Sequence, residues 1–544
     1  MVRTPADKIP GPFYDALVIT RRPQPWRSAA ARLRATARPH WPFAVLLTAG
    51  FVVRLTASLA YRPALVYIDT IRYLGADQHG LDPLGYSYLL LRPVLLAGGG
   101  LAGVAALQHV LGMGMATCLY LLALRVASGV RGSSPASQQS LSRWLAALTA
   151  APVLLDAYQV QAEQMIMPDV LFEALLVAAI TVLLWRPDPG LGRLAAAAAL
   201  LGLSATVRQV GEVLVLPLLG YTLAATRGWR RRVIRMTAAI GVFALPVVGY
   251  MALSAAVLGN GFRLSNMDDA YLYGRVAHAA DCATLSVPGY DRPLCPAPAT
   301  AATLGVDGLA TDPRSAVFSY RPPAVVTRGT AATGFDEAVL TQQPLRVAGD
   351  VAGDAIKVFA LTRNTARGDP PVSRWQFQRS YPVYAALGDG FRPQVRTPLA
   401  DLLRAYQLHG GFTPGPLLLA FLVFGTGGCF ALRRQRAAAL GCILTTGLAA
   451  AALFGADLYE FSWRYQLPAL VTLPLPGALG AAAFVRFAVT RWSDGRGRMI
   501  WWTVTRGIRK SGPSQAASST PTTGSGCAGT TSNAATAHGE RTPS

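Results

Sequence analysis

The stretch WPFAVLLTAGFVVRLTASLA (Trp41–Ala60), followed closely by YIDTIRY (Tyr67–Tyr73), decides how the chain is read. Its 20 residues carry Arg54 as the one charge. That length suits a crossing of a hydrocarbon core about 30 Å thick. The run is too long for a signal-peptide core and lacks a clear small-residue cleavage site, so it reads as a retained first span. Asp69 then lies just beyond the far face, at the water–lipid boundary. A carboxylate there is cheap to ionise and close enough to meet a substrate held in lipid.

The rest of the composition agrees. Of 544 residues, 52% are hydrophobic and only 14% are charged, well below the roughly 25% of soluble domains. About ten segments are long and apolar enough to cross: near 41–60, 101–124, 142–160, 169–186, 192–207, 209–226, 236–258, 414–432, 437–455 and 467–488. The expected fold is an all-α polytopic membrane protein of about ten transmembrane helices, with interfacial helices after the first span and a large extracytoplasmic loop. The net charge of +22 sits in basic residues beside apolar segments, without interleaved aromatics. Inner-leaflet lipid and topology account for it better than nucleic acid does. Connections holding Arg125, Arg131 and Arg143, Arg186 and Arg193, Arg227 to Arg235, and Arg433 to Arg436 alternate with connections poor in Lys and Arg. The positive-inside rule then places a multi-pass protein in the cell membrane with both termini cytoplasmic and the 61–100 loop outside.

Five regions follow. Residues 1–40 form a basic cytoplasmic leader, and 41–258 an N-terminal transmembrane catalytic module. Residues 259–413 form an extracytoplasmic subdomain, 414–488 the C-terminal transmembrane helices, and 489–544 a basic, disordered cytoplasmic tail. Within the first external loop, 84–97 is apolar but short and broken by Pro93, which predicts an interfacial segment. Tyr86 and Tyr88 suit headgroup depth. The 259–413 stretch is too long for a plain connection. It carries Cys282 and Cys295, which face an oxidising compartment as a disulfide or as two free thiols. No His/Cys cluster has zinc-ligand spacing and no GxxxxGK[ST] loop is present. A metal site would have to use carboxylates. No cofactor is assigned, and a divalent metal ion stays open.

Charges at a membrane boundary are the functional candidates. Asp69 is placed to act as general base on an acceptor hydroxyl. Tyr73, four residues on, shares its face if the loop is helical. Asp169 opens the fourth apolar segment behind Pro168. It is either ordinary helix-start chemistry or a second carboxylate at the same mouth. Arg208 either pairs with Glu212 along a helix or serves that mouth. Arg464, followed by Tyr465, either snorkels or holds a lipid phosphate bidentately. Arg54 either snorkels or pairs with an acid.

Four of these features together resemble the multi-span GT-C glycosyltransferases that use polyprenyl-phosphate sugars, such as protein mannosyltransferases and the aminoarabinose transferase of lipid A. They are Asp69 with Tyr73 and Ala76, the run Pro83-Leu84-Gly85-Tyr86-Ser87-Tyr88-Leu89-Leu90, Met167-Pro168-Asp169-Val170-Leu171, and Arg464-Tyr465-Gln466-Leu467-Pro468. The likeness covers roughly 41–225 and the last span. The chain departs from many relatives in having Thr70 where they carry a second acid, and Asp82-Pro83-Leu84 where they carry His-Pro-Pro. The resemblance implies a GT-C-like enzyme moving a sugar from a polyprenyl-phosphate donor to an extracytoplasmic acceptor: protein, lipid or cell-wall glycan. Asp69 would be the base, Tyr73, Asp169, Arg208, Arg464 and Tyr465 would bind substrate, and membrane lipid would surround the donor. Two other readings are a transporter or flippase of lipid-linked intermediates and a non-catalytic envelope assembly protein. The first expects midplane charges and internal repeats, and neither is visible here.

Overall fold

Trp41–Ala60 forms a single helix (α1), started by Pro42 in its first turn, where a missing N–H is no loss. In the computed structural model, residues 38–76, 81–129, 136–186, 189–259, 261–266, 268–324, 326–381, 392–433 and 435–493 are described. The basic leader up to residue 37 and the tail from residue 494, with Cys527, lie outside them. Residues 1–486 make one compact unit and 487–544 a second, of which 487–493 are described as the end of a helix.

The described residues of the first unit are mainly helical, with one two-stranded ribbon of two residues per strand. After α1 come α2 (Gly100–Gly129), α3 (Ala136–Leu155), α4 (Ala157–Gln164), α5 (Asp169–Leu184), α6 (Leu191–Val207), α7 (Val215–Ala225) and α8 (Trp229–Leu253). A lobe with its own small core holds α9 (Asp268–Ala279), α10 (Pro298–Thr311), α11 (Arg328–Gln342) and α12 (Pro344–Ala355). Then follow α13 (Thr397–Leu408), α14 (Gly415–Ala431), α15 (Arg436–Tyr459) and α16 (Pro474–Ser493). Among the described residues, four helices are long and apolar enough to cross a membrane: Trp41–Ala60, Gly100–Val126, Trp229–Leu258 and Arg436–Tyr459. The pair Trp463–Thr472 and Pro474–Val485, bent by 45°, adds a fifth as a broken span. The chain is thus an all-α polytopic membrane protein, but the expected count of ten spans is not met by length. Polar breaks shorten the rest. Helix α3 stops at Asp156, whose Oδ1 accepts the Tyr158 N–H at 2.9 Å and starts α4. Helix α6 stops at an extended Arg208 before a 3₁₀ turn, Gln209–Leu214.

Arg54 pairs with an acid rather than snorkelling. Its Nε and Nη2 bind Glu163 at 2.7 and 2.6 Å, and its remaining donors reach the carbonyls of Gly50, Val153 and Leu154 at 2.9–3.1 Å. His109 Nδ1 completes the Glu163 shell at 3.0 Å. The carboxylate fits because α2 has a glycine beside it. A Cβ on Gly112 would lie 2.1 Å from Glu163 Oε1.

The chain leaving α1 is pinned before it reaches Asp69. Tyr61 and Arg62 pair antiparallel with Val395 and Gln394. Leu65 then exchanges backbone hydrogen bonds with Gln164 and Ile166 at 2.9 and 3.0 Å. Thr70 is fully buried. Its hydroxyl accepts the Tyr67 N–H at 2.9 Å and donates to the Ile166 carbonyl at 3.0 Å, fixing the short helix Ile68–Ile71 against the turn that precedes α5. The 84–97 segment forms two short helical pieces, Ser87–Leu91 and Arg92–Leu96. Tyr88 is exposed beside Arg92, whereas Tyr86 is enclosed by protein. It is fully buried, with its hydroxyl donating to Gln108 at 2.8 Å.

The long stretch after α8 divides between two cores. Tyr273, Leu294, Leu309, Phe335 and Val339 form the small core of the α9–α12 lobe, where Cys282 and Cys295 are joined in a disulfide. Val358, Trp375, Phe377, Ala400 and Leu403 instead join the main core of the bundle, laying 356–381 and α13 over the end of α1.

Candidate active site

Four charged residues from four distant segments meet at one end of the bundle. Asp69 comes from the short helix after α1, Asp169 opens α5, Arg208 closes α6, and Arg464 lies in the first turn of the bent last pair. Arg464 is the hub. Its Nη1 donates to Asp69 Oδ2 at 3.0 Å, its Nη2 donates to the Tyr465 hydroxyl at 3.0 Å, and its Nε lies 3.6 Å from Asp169 Oδ1. Arg208 takes the Asp169 carboxylate directly and stacks 4.5 Å over the Tyr465 ring. Arg208 therefore reaches across to α5, rather than serving only a local helix contact. Arg464 is itself held between the faces of Trp375 and Tyr465, 4.9 and 4.7 Å from the ring centres.

A cavity of about 620 Å³ opens over Asp69, Arg208, Arg464 and Tyr465, between the bundle and the lobe of α9–α12, with Asp169 behind them and outside its lining. Tyr73 lines it but is buried, with its ring edge-to-face on Tyr86 at 5.4 Å. Burial and the neighbouring Asp82 and Asp69 carboxylates push its hydroxyl well up, so it stays a neutral hydrogen-bonding group. Cys282 and Cys295 are not among the lining residues and serve the fold of the lobe. Among the described residues no group of three or more His, Cys, Asp and Glu is arranged to hold a metal ion.

The cavity adds groups that sequence reasoning missed. Arg72 binds Asp69 Oδ1 and reaches Asp82 at 2.9 Å. It stood inside the quoted 67–73 stretch, three residues from Asp69, the spacing of neighbours on one helix face. Glu460, four residues before Arg464, was also within reach of the same argument. Trp375, Arg374, Tyr271 and Asp307 arrive from the long stretch after α8, and no local pattern marks them.

The electrostatics separate the two free-standing acids. Burial works against ionisation of Asp69, but the Arg464 and Arg72 guanidiniums outweigh it and hold the carboxyl below its ordinary range. Glu460 is pushed the other way, to about 8, by burial and by the Asp307 carboxylate beside it. Polar capacity is left over. Asp169 Oδ2, Arg464 Nε and Glu460 Oε2 are buried without hydrogen-bond partners. Unsatisfied buried groups are rare in stable cores and mark places where a ligand completes the network. An ionised carboxylate fixed by two guanidiniums, beside open donors and two aromatic faces, suits an anionic group on a substrate and a cationic transition state next to it.

No protein-family model matches the chain, and no curated protein matches it in sequence. Among solved structures it is similar to ArnT from Cupriavidus metallidurans in a crystal structure of the apo state. The match has 14% identity, covers 77% of each chain and has a TM-score of 0.31. At that score the likeness carries no argument, and the functional reading rests on the cavity.

Proposed function

We propose that the chain is a membrane glycosyltransferase of the GT-C kind, working at the extracytoplasmic face with a polyprenyl-phosphate sugar as donor. The observation that carries the reading is Arg464. It is buried, sandwiched between Trp375 and Tyr465, shared between Asp69 and Asp169, and lines the cavity with its buried Nε left without a hydrogen-bond partner. The opposite end of the bundle supports the sidedness. There Arg125 binds the Trp185 carbonyl, Arg436 the Ala225 carbonyl and Arg232 the Thr226 carbonyl. Those are the basic connections that the positive-inside rule assigns to the cytoplasm.

In this reading the polyprenyl tail lies along the apolar helices and its phosphate takes the guanidiniums of Arg464 and Arg208. The bond from the anomeric carbon to the phosphate oxygen breaks, and the electron pair leaves with the phosphate. Positive charge grows on the sugar ring, as in glycosidase transition states. Asp69, already ionised, offsets that charge from beside the ring. Asp169 and Arg72 hold Arg464 and Asp69 in place. One displacement inverts the anomeric centre.

The test is Asp69→Asn in nanodiscs, assayed with radiolabelled polyprenyl-phosphate monosaccharides extracted from the parent membrane. Transfer is expected to fall by a factor of about 10²–10³, the range seen when a transition-state electrostatic group is removed, with the thermal transition close to wild type. Wild-type transfer by this variant would remove Asp69 from the mechanism.

A further inference from the structure

A second cavity, of about 310 Å³, lies in the α9–α12 lobe and meets the main cavity at Asp307, Pro370 and Glu460, which line both. Its volume is at the lower end of the roughly 300–1,000 Å³ of small-molecule sites. One wall is the face of α12 that carries Gly349, Asp350, Gly353 and Asp354 at helical spacing. The opposite wall is backbone. Gly305 and Gly368, both at positive φ, pack so closely that a Cβ on Gly305 would lie 2.0 Å from the Gly368 carbonyl oxygen.

The acids here are mostly neutralised by their own partners. Fully buried Arg275 binds Asp350 and Asp354. Lys357 binds Asp354 at 2.7 Å and Asp369 at 2.9 Å. His278 reaches Asp350 at 3.0 Å. What remains is the pair at the junction and the Arg367 guanidinium, which donates to the Thr303 hydroxyl at 3.2 Å. Glu460 is 7% exposed, is hydrogen-bonded to Asp307 and Tyr465, and keeps Oε2 without a partner. A free phosphate would face carboxylates at this junction, and an apolar group would leave them desolvated. A neutral group rich in hydroxyls can both donate to carboxylates and accept from Lys357 and Arg367.

We propose that this side cavity is the acceptor's subsite, taking an uncharged, hydroxyl-rich, glycan-like acceptor whose reacting hydroxyl is held and deprotonated by Glu460 at the junction. The inference rests on the transferase reading and deepens it. Both oxygens of Asp69 are already engaged by Arg72 and Arg464, whereas Glu460 has a free one. The acceptor O–H bond breaks and its proton goes to Glu460 Oε2, while the proton that Glu460 already carries passes to Asp307 beside it. The oxygen forms the new bond to the anomeric carbon, and the old C–O pair leaves on the polyprenyl phosphate. A carboxyl pair that shares one proton can take a second, as aspartic protease dyads do. The proton then returns to water through the side cavity.

The wall offers a way to test this without touching the charged groups. A Cβ at Gly349 or Gly353 meets nothing within 4 Å, and replacing glycine inside a helix favours the helix. Gly353→Phe and Gly349→Phe therefore fill the cavity while the fold stands, checked by an unchanged thermal transition. With the labelled donor pool above and delipidated envelope glycans as acceptor, each is expected to raise the acceptor KM tenfold or more and to leave the donor KM within twofold. Glu460→Gln is expected to lower kcat at least tenfold at unchanged donor KM. Wild-type acceptor KM in both glycine variants overturns the subsite, as does a rise confined to the donor KM. Transfer by the wild type to phosphorylated lipid but not to neutral glycans overturns the subsite and leaves the transferase reading standing. No transfer by the wild type to either overturns both.

Discussion

Two buried arginines in this bundle, Arg54 and Arg464, do opposite things with the same chemistry. Arg54 has every donor satisfied, by Glu163 and three backbone carbonyls, and faces no cavity. Arg464 divides its fork between Asp69 and Tyr465, leaves Nε unpaired 3.6 Å from Asp169, and faces the main cavity. A saturated pair locks α1 to the α3–α4 break. The unsaturated one keeps an unmet donor at the cavity wall. The intramembrane charge that looked most anomalous in the sequence is thus structural, and the boundary arginine that could have been snorkelling is the hub.

The sharpest way to break this contrast is to remove one partner from the saturated pair. Glu163→Ala leaves Arg54 charged and alone in the core, where losing one partner of a buried pair costs about 3–5 kcal/mol. A large fall in Tm or loss of folded protein is expected in a detergent melt. The double variant Arg54→Met with Glu163→Leu should recover most of the loss, since apolar replacement of a whole buried pair is often neutral. If activity tracks the double variant while stability does not, Arg54 belongs to the mechanism and the contrast fails.

The complementary probe is Arg464→Lys. It keeps the charge but not the planar fork that binds Asp69 and Tyr465 together and stacks on Trp375. Transfer is expected to drop by about 10- to 100-fold, on the order of 1.4–2.7 kcal/mol in the barrier, with a Tm near wild type. Full activity would mean that a point charge suffices and that the arginine geometry is incidental.

A smaller effect is expected from pH. Asp307, Tyr465, Arg464 and Tyr271 face Glu460. Burial, and Asp307 next, hold its carboxyl up at about 8, above the roughly 4.3 of an unfolded glutamate. Between those values the folded chain binds a proton that the unfolded chain releases. Stability contributed by the protonated group is present below about pH 4.3 and is lost as pH rises towards 8. Asp336, buried in the lobe and also held at about 8, acts in the same direction. Tm should therefore decline by a few degrees from pH 5 to pH 8, and Glu460→Gln should flatten part of that slope. Parallel curves for variant and wild type would mean that Glu460 ionises as freely as a surface acid.

How far the sequence could be read follows from the same contrast. Asp69, Asp169, Arg208 and Arg464 were legible because a charge beside an apolar run is scarce and costly, so each stands out singly. That they meet follows from helix ends sharing one side of the bundle. Arg72 and Glu460 lay within one helical turn of chosen residues and were passed over. Trp375 and Asp307 carry no local mark, because they reach the cavity only through the way 259–413 folds back over α1. The helix count went astray for a related reason. Asp156 and Arg208 end helices inside apolar stretches to serve the interior, and hydropathy does not register where a helix stops.

The smallest expected effect concerns Thr70, where many relatives in the resembled family carry a second acid. Here the side chain is fully buried and is spent on two hydrogen bonds, from the Tyr67 N–H and to the Ile166 carbonyl. That makes it a clamp for the short helix bearing Asp69, with no surface left for substrate. Thr70→Ser keeps the hydroxyl and should behave as wild type. Thr70→Ala removes the cap, expected to cost about 1 kcal/mol, and should raise the donor KM modestly by loosening Asp69 against Arg464. The serine variant separates clamp from contact. Loss of transfer in Thr70→Ser at unchanged Tm would place the Thr70 methyl group against substrate, and the short helix would then be part of the binding surface rather than its support.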